Sequence, residues 1–141
     1  MKTLLIVYHS MTGGTLQMAQ AAAGGARSEP ALRVSLLRAE DAQAGDVLDA
    51  SGYIFATPEN LAAMSGKMKD FFDRTYYAAL DRVNGRPYAS LICAGSDGRS
   101  NEAQTVGLAA GNGDEYVAAP DSAAICRHSA DFNFGVARLE L

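Results

Sequence analysis

The chain lacks the features that would commit it to several functional classes. It has two cysteines, Cys93 and Cys126, in 141 residues, too few to form a disulfide framework. No run approaches the roughly 20 consecutive apolar residues of a membrane-spanning helix. No long block of like charge occurs, and the net charge is −4 with a pI near 5.0. A nucleic-acid binder would carry a basic face, and a disordered polyanion would be far more acidic. The start, Met1–Tyr8, has one lysine and a short apolar run with no small-residue cleavage site after it. It reads as a strand and not as an export signal. A reducing cytoplasm and two free thiols are the resulting expectation. Cys126-Arg127-His128 has no further ligands at useful spacing, so no metal site is expected.

What is present points to a single globular domain over residues 1–141. The hydrophobic share of 48% supports an ordinary core. Strand-length apolar runs alternate with helix-length segments, the pattern of parallel βαβ units. Thr3–Tyr8 is apolar throughout, as in a central strand covered on both faces. Leu32–Leu36 alternates, which suits an edge. Gly52–Ala56 and Tyr88–Ala94 are two more continuous runs, the second preceded by Pro87. Between them, Leu16, Ala19 and Ala23 mark a helix with a stop at Gly24-Gly25. Glu40–Ala50 is a weaker helix broken at Gly45. Met64, Met68, Phe71, Phe72 and Tyr76 give the clearest amphipathic stripe. Beyond Ser100 the pattern weakens to a short helix at Glu102–Ala110, a turn at Gly111–Asp114, and short strands at Tyr116–Ala119 and Ala123–Cys126. Phe132–Leu141 fits strand or helix equally.

The first strand runs directly into Ser10-Met11-Thr12-Gly13-Gly14-Thr15, and a helix follows. The hydroxyls of Ser10, Thr12 and Thr15 can donate to phosphate oxygens. Gly13 and Gly14 let the backbone turn and bring its amides close, and the helix N-terminus adds free donors with partial positive charge. The loop holds no Lys or Arg, so it suits one phosphate held by neutral donors. It is neither a Walker loop nor Gly-x-Gly-x-x-Gly. An ordinary hydroxyl helix cap would use the same residue types.

The loop resembles the Ser/Thr-x-Thr-Gly-x-Thr motif of flavodoxins and the related NAD(P)H-dependent FMN reductases. Two further segments agree in position. Thr57-Pro58-Glu59-Asn60 leads through Ser65-Gly66 to Lys67-Met68-Lys69-Asp70-Phe71-Phe72-Asp73, which resembles the reductase branch. Cys93-Ala94-Gly95-Ser96-Asp97-Gly98 follows the fourth strand. The resemblance covers roughly residues 1–100. It implies a flavodoxin-like three-layer α/β sandwich with a parallel sheet of order 2-1-3-4-5. It also implies FMN as cofactor, with Ser10, Thr12, Gly13, Gly14 and Thr15 on the phosphate. Thr57, Pro58, Glu59 and Asn60 would lie along the isoalloxazine ring, and Gly95 and Ser96 would approach its pyrimidine edge. The implied activity passes hydride from NAD(P)H through FMN to a quinone, a flavin or another small acceptor, with no side-chain acid, base or nucleophile.

Bland readings accompany several residues. Pro58 and Asn60 would make a strand-ending turn in any protein. Gly95–Gly98 would make a flexible loop. His9 is expected as a strand-end residue, Cys93 as a buried thiol, Tyr76 as core, and Tyr77 as a residue that could reach the pocket rim. The resemblance is incomplete at the end, where a long fifth helix is reduced or missing. That leaves part of one sheet face to be covered by the tail or by a second subunit, so a homo-oligomer is expected. An electron carrier of the flavodoxin kind is the alternative function. The segments Thr57–Met64 and Cys93–Gly98 contain no aromatic residue, which leaves a ring face open to a nicotinamide and favours the reductase. A fold relic holding only an adventitious anion is the third reading.

Overall fold

The computed structural model describes residues 1–95 and the backbone of 124–127. Strand β1 (Lys2–Tyr8) lies inside the sheet, and its side chains go alternately to two cores. Leu4 and Ile6 pack against helix α1 (Gly14–Ala26) with Met18, Ala19 and Ala23. Leu5 and Val7 face helices α2 (Ala44–Asp49) and α3 (Gly66–Ala79) with Val47, Met68 and Phe71. Burial on both faces is why β1 is apolar at every interior position. Two helical layers therefore sandwich one sheet, as the resemblance implies.

The main path of the sheet runs β2 (Leu32–Arg38), β1, β3 (Gly52–Asn60), β5 (Tyr88–Ala94), β6 (Ala124–Arg127). Every pairing along it is parallel. Counted over these parallel strands alone, this is the expected order 2-1-3-4-5. The departure is β4 (Ala63–Met64), two residues that pair antiparallel with the end of β3 and make the sheet mixed.

Four boundaries differ from the sequence reading. Helix α1 runs through Gly24 and Gly25 to Ala26. Both glycines face solvent, and packing of Ala22, Ala23 and Ala26 outweighs their poor propensity. Helix α2 begins only at Ala44, where the Gln43 amide donates to the Asp46 carboxylate at 2.8 Å. Gly45 thus sits in its first turn and does not interrupt it. β3 continues four residues past Ala56, because β4 gives its end a partner. Met64 belongs to β4 and not to α3, although it still fills the same core.

Two arginines fasten the α2–α3 layer. Arg74 donates to the carbonyls of Ala39 and Ala42 at 2.7 and 3.1 Å. Arg86 donates to the carbonyls of Val47, Leu48 and Ala50 at the C-terminal end of α2, where the helix dipole favours a cation. Tyr53, Phe55, Phe71 and Phe72 form the aromatic centre of this core. Tyr76 is half-buried, and Tyr77 stands 84% exposed against it. The expectations for Glu102–Ala110, Gly111–Asp114, Tyr116–Ala119 and Phe132–Leu141, including the reduced C-terminal helix, lie outside the described residues.

Candidate functional site

In open α/β sheets ligands bind beyond the carboxyl ends of the strands, where the order reverses. Here that point lies between β1 and β3, and the Ser10–Thr15 loop stands at it. The His9 amide donates to the Ala56 carbonyl at 3.0 Å, which holds the loop entrance against β3. The Ser10 Oγ then accepts the Gly13 amide at 3.0 Å. Gly13 has φ of +101°, a left-handed conformation that an L side chain rarely adopts. This turn delivers the chain into α1.

The start of α1 is dressed for an anion. Gly13 occupies the cap position, no side chain caps the first-turn amides, and the first turn holds no acidic residue. Uncapped amides and the helix dipole together favour negative charge there. Ser10 spends its oxygen on Gly13 but keeps its hydroxyl hydrogen. Thr12 is exposed beside it, while Thr15 is buried under the turn. Gly14 is needed for a different reason. A Cβ built on it would lie 3.0 Å from the Cys93 Sγ, so the first turn of α1 rests directly on β5. Cys93 is thus half-buried at the base of the loop and not sealed in the core.

The second wall is the end of β3. Thr57 is fully buried, and its hydroxyl serves the fold. It accepts the Ser65 amide at 3.1 Å and lies 3.0 Å from the Pro58 carbonyl. Ser65 in turn caps α3 by accepting the Met68 amide at 3.2 Å. Thr57 therefore can offer a ligand only its backbone. Pro58, Glu59 and Asn60 are half-buried at the end of β3. The Asn60 Nδ2 reaches the Met11 Sδ at 3.7 Å and ties this wall to the loop. Gly95 is exposed past the end of β5. Ser96 lies outside the described residues.

Sequence reading missed three things here. The turn joining β3 to β4 is Leu61-Ala62, with φ of 51° and 61°. Such turns favour Asn-Gly, so nothing in Leu-Ala announces one. Leu61 and Met11 are both exposed, at 102% and 71%, and give the rim two large apolar side chains. Finally, the His9 Nδ1 is buried without a hydrogen-bond partner among the described residues. Such orphans are uncommon and often mark a missing polar ligand.

These residues fit a phosphate-bearing cofactor: free amides and hydroxyls for the headgroup, the half-buried end of β3 beside them, and a ring nitrogen at the entrance with no partner among the described residues. A separate cavity of about 300 Å³ lies between β1, β2 and α2, lined by Thr3, Arg33, Ser35, Asp46 and Asp49. It sits toward the start of these strands, away from the loop. Among the described residues no cluster could hold a metal ion, and no helix is long and apolar enough to cross a membrane.

The family model described as NADPH-dependent FMN reductase matches residues 41–113, just over half of the chain. The chain belongs to this family. A flavodoxin of Aquifex aeolicus is 34% identical over 102 residues, covering 72% of this chain and 55% of that protein. An NAD(P)H dehydrogenase (quinone) of Acidithiobacillus ferrooxidans is also 34% identical, over 53% of this chain and 48% of its own length. The chain thus spans about half the length of these curated relatives. Among solved structures, a flavodoxin from the domain Archaea superposes with a TM-score of 0.72 at 20% identity, over 91% of this chain and 86% of that one. The shared architecture is flavodoxin-like.

Proposed function

We propose that the chain binds FMN and acts as an oxidoreductase that passes electrons from NAD(P)H to a small acceptor, a quinone or a free flavin. The observation that carries this reading is the uncapped start of α1, with the Ser10 and Thr12 hydroxyls beside it and no carboxylate in its first turn. FMN, when bound, supplies the redox chemistry, and the protein supplies position and electrostatics. Ser10, Thr12, Gly13, Gly14 and Thr15 would hold the phosphate. The backbone of Thr57 and the residues Pro58, Glu59 and Asn60 would flank the ring, with Gly95 and Ser96 at its far edge. No aromatic side chain stands in Thr57–Met64, which leaves a ring face open for a nicotinamide. Met11 and Leu61 give the rim apolar surface for a flat acceptor. Family membership and the quinone-reducing relative support this reading.

The test is a fluorescence titration of the flavin-free protein with FMN, followed by anaerobic mixing with NADH and NADPH. Binding with rapid bleaching is the expected result. A protein that leaves FMN emission unchanged would remove the reading. Binding with only slow bleaching would shift it to the electron carrier, which the Aquifex relative represents. Thr12→Ala should weaken FMN by about 1–3 kcal/mol through loss of a charge-assisted hydrogen bond. Unchanged affinity would leave Thr12 with no part in the site.

A further inference from the structure

The only two cysteines of the chain are brought together by the sheet. Cys93 is next to last in β5, Cys126 is next to last in β6, and the parallel register sets them directly opposite. Register partners on adjacent strands share a face of the sheet, with the strands about 4.8 Å apart. That spacing falls within the roughly 4.4–6.8 Å between Cα atoms that a disulfide spans. Cys93 lies on the α1 face and packs beside the core of Leu4, Ile6 and Met18. Its Sγ also sits 3.0 Å from where a Gly14 Cβ would be, beneath the helix turn that opens the anion site.

We propose that Cys93 and Cys126 close a reversible disulfide, and that closing it loosens the hold of the Ser10–Thr15 loop on its anion. The bond stands on the register alone, and its effect on the loop rests on the phosphate reading above. A small disulfide such as oxidised glutathione is the oxidant. The Cys93 thiol gives up its proton, and the thiolate attacks one glutathione sulfur. That sulfur–sulfur bond breaks, and one glutathione leaves and takes up a proton. The Cys126 thiolate then attacks the mixed disulfide at Cys93 and releases the second glutathione. Cys126 also gives up its proton and the second glutathione takes one up, so the protein loses two protons and two electrons in all, and the oxidant becomes two thiols.

Two features make the bond reversible. Parallel strands in register keep Cβ atoms near the strand spacing of about 4.8 Å, wider than the roughly 3.8 Å of a relaxed disulfide. Closure must therefore draw the strand ends together, and a strained bond is more readily reduced. The pair also lies one residue from the end of each strand, where such movement disturbs the fewest ladder hydrogen bonds. The Sγ drawn toward β6 no longer fills the space under Gly14. The turn above it loses van der Waals support.

Oxidised glutathione is added to the folded, flavin-free chain, and intact mass and free-thiol content are read. The expected product is monomeric, lighter by two hydrogen atoms, free of titratable thiol, and restored by dithiothreitol. Cys126→Ser should instead retain one glutathione on Cys93. Two glutathiones on the wild type, two unreacted thiols, or a cross-linked dimer would each overturn the disulfide. FMN is then titrated into both forms, with binding about fivefold weaker to the oxidised one expected. Equal affinities would overturn the coupling. If the reduced chain binds no FMN, the cofactor reading and the coupling fall together, while the mass measurement still judges the bond.

Discussion

Replacing Gly14 with alanine should change sign according to what stands at position 93. Gly14 is the first residue of α1 and has no positive φ, so alanine meets no backbone strain there. Its methyl would instead lie 3.0 Å from the Cys93 Sγ, well inside the roughly 3.5–4.0 Å at which attraction between heavy atoms is best. Forcing a methyl into such a contact costs about 1–3 kcal/mol. Against this, alanine improves on glycine by up to about 1 kcal/mol in a helix, less at its first position. Gly14→Ala should therefore destabilise the flavin-free protein by about 1 kcal/mol. In a Cys93→Ala background the obstacle is gone, and the same change should stabilise by about 0.5 kcal/mol. Urea unfolding of the four proteins gives the coupling energy, expected at about 1–2 kcal/mol. A coupling within the roughly 0.3–0.5 kcal/mol scatter of independent sites would refute the packing of α1 on β5. The Ser10–Thr15 loop would then lack a floor on β5.

Three other outcomes follow from named contacts. Ala62→Gly should raise stability by about 1 kcal/mol, since Ala62 holds a left-handed φ of 61°. A fall in the thermal midpoint would show that the turn is set by packing and not by backbone preference. Ser65→Ala removes the α3 cap and the Ser65 Oγ that the buried Thr57 hydroxyl reaches at 3.4 Å, while the amide at position 65 still donates to Thr57. Unfolding in denaturant should show a loss of about 1–2 kcal/mol, and a loss below about 0.3 kcal/mol would contradict it. Burial raises the pKa of Tyr53 above its ordinary value, with Arg86 partly opposing. A group whose folded pKa is raised stabilises fully below its unfolded value, near 10, and that contribution is lost as pH rises through the folded value. Stability should therefore decline above about pH 10, less steeply in Tyr53→Phe. Parallel declines in both proteins would exclude Tyr53 as the source.

The family resemblance was legible in sequence wherever a motif names both residue type and backbone conformation. Ser10–Thr15 is such a segment. A hydroxyl, two glycines and a helix start must occur in that order for an anion to be held, and Gly13 does take a left-handed turn. Thr57 was legible in position but not in role. Its hydroxyl turns away from the cleft because Ser65 needs it to begin α3. The Leu61-Ala62 turn left no trace, because neither residue prefers the conformation that pairing of β3 with β4 imposes.

Local chemistry and periodicity in the sequence thus determined the parallel α/β class, the edge character of β2 and the glycine turn that opens α1. Those properties follow from which residues alternate, turn or cap within a few positions of one another. Tertiary structure decided the rest. It ran α1 through two glycines, set Gly14 on Cys93, and brought Cys93 into register with Cys126, 33 positions further along the chain. Contacts between residues so distant in sequence depend on how strands are ordered and how closely layers pack, and no local pattern encodes either.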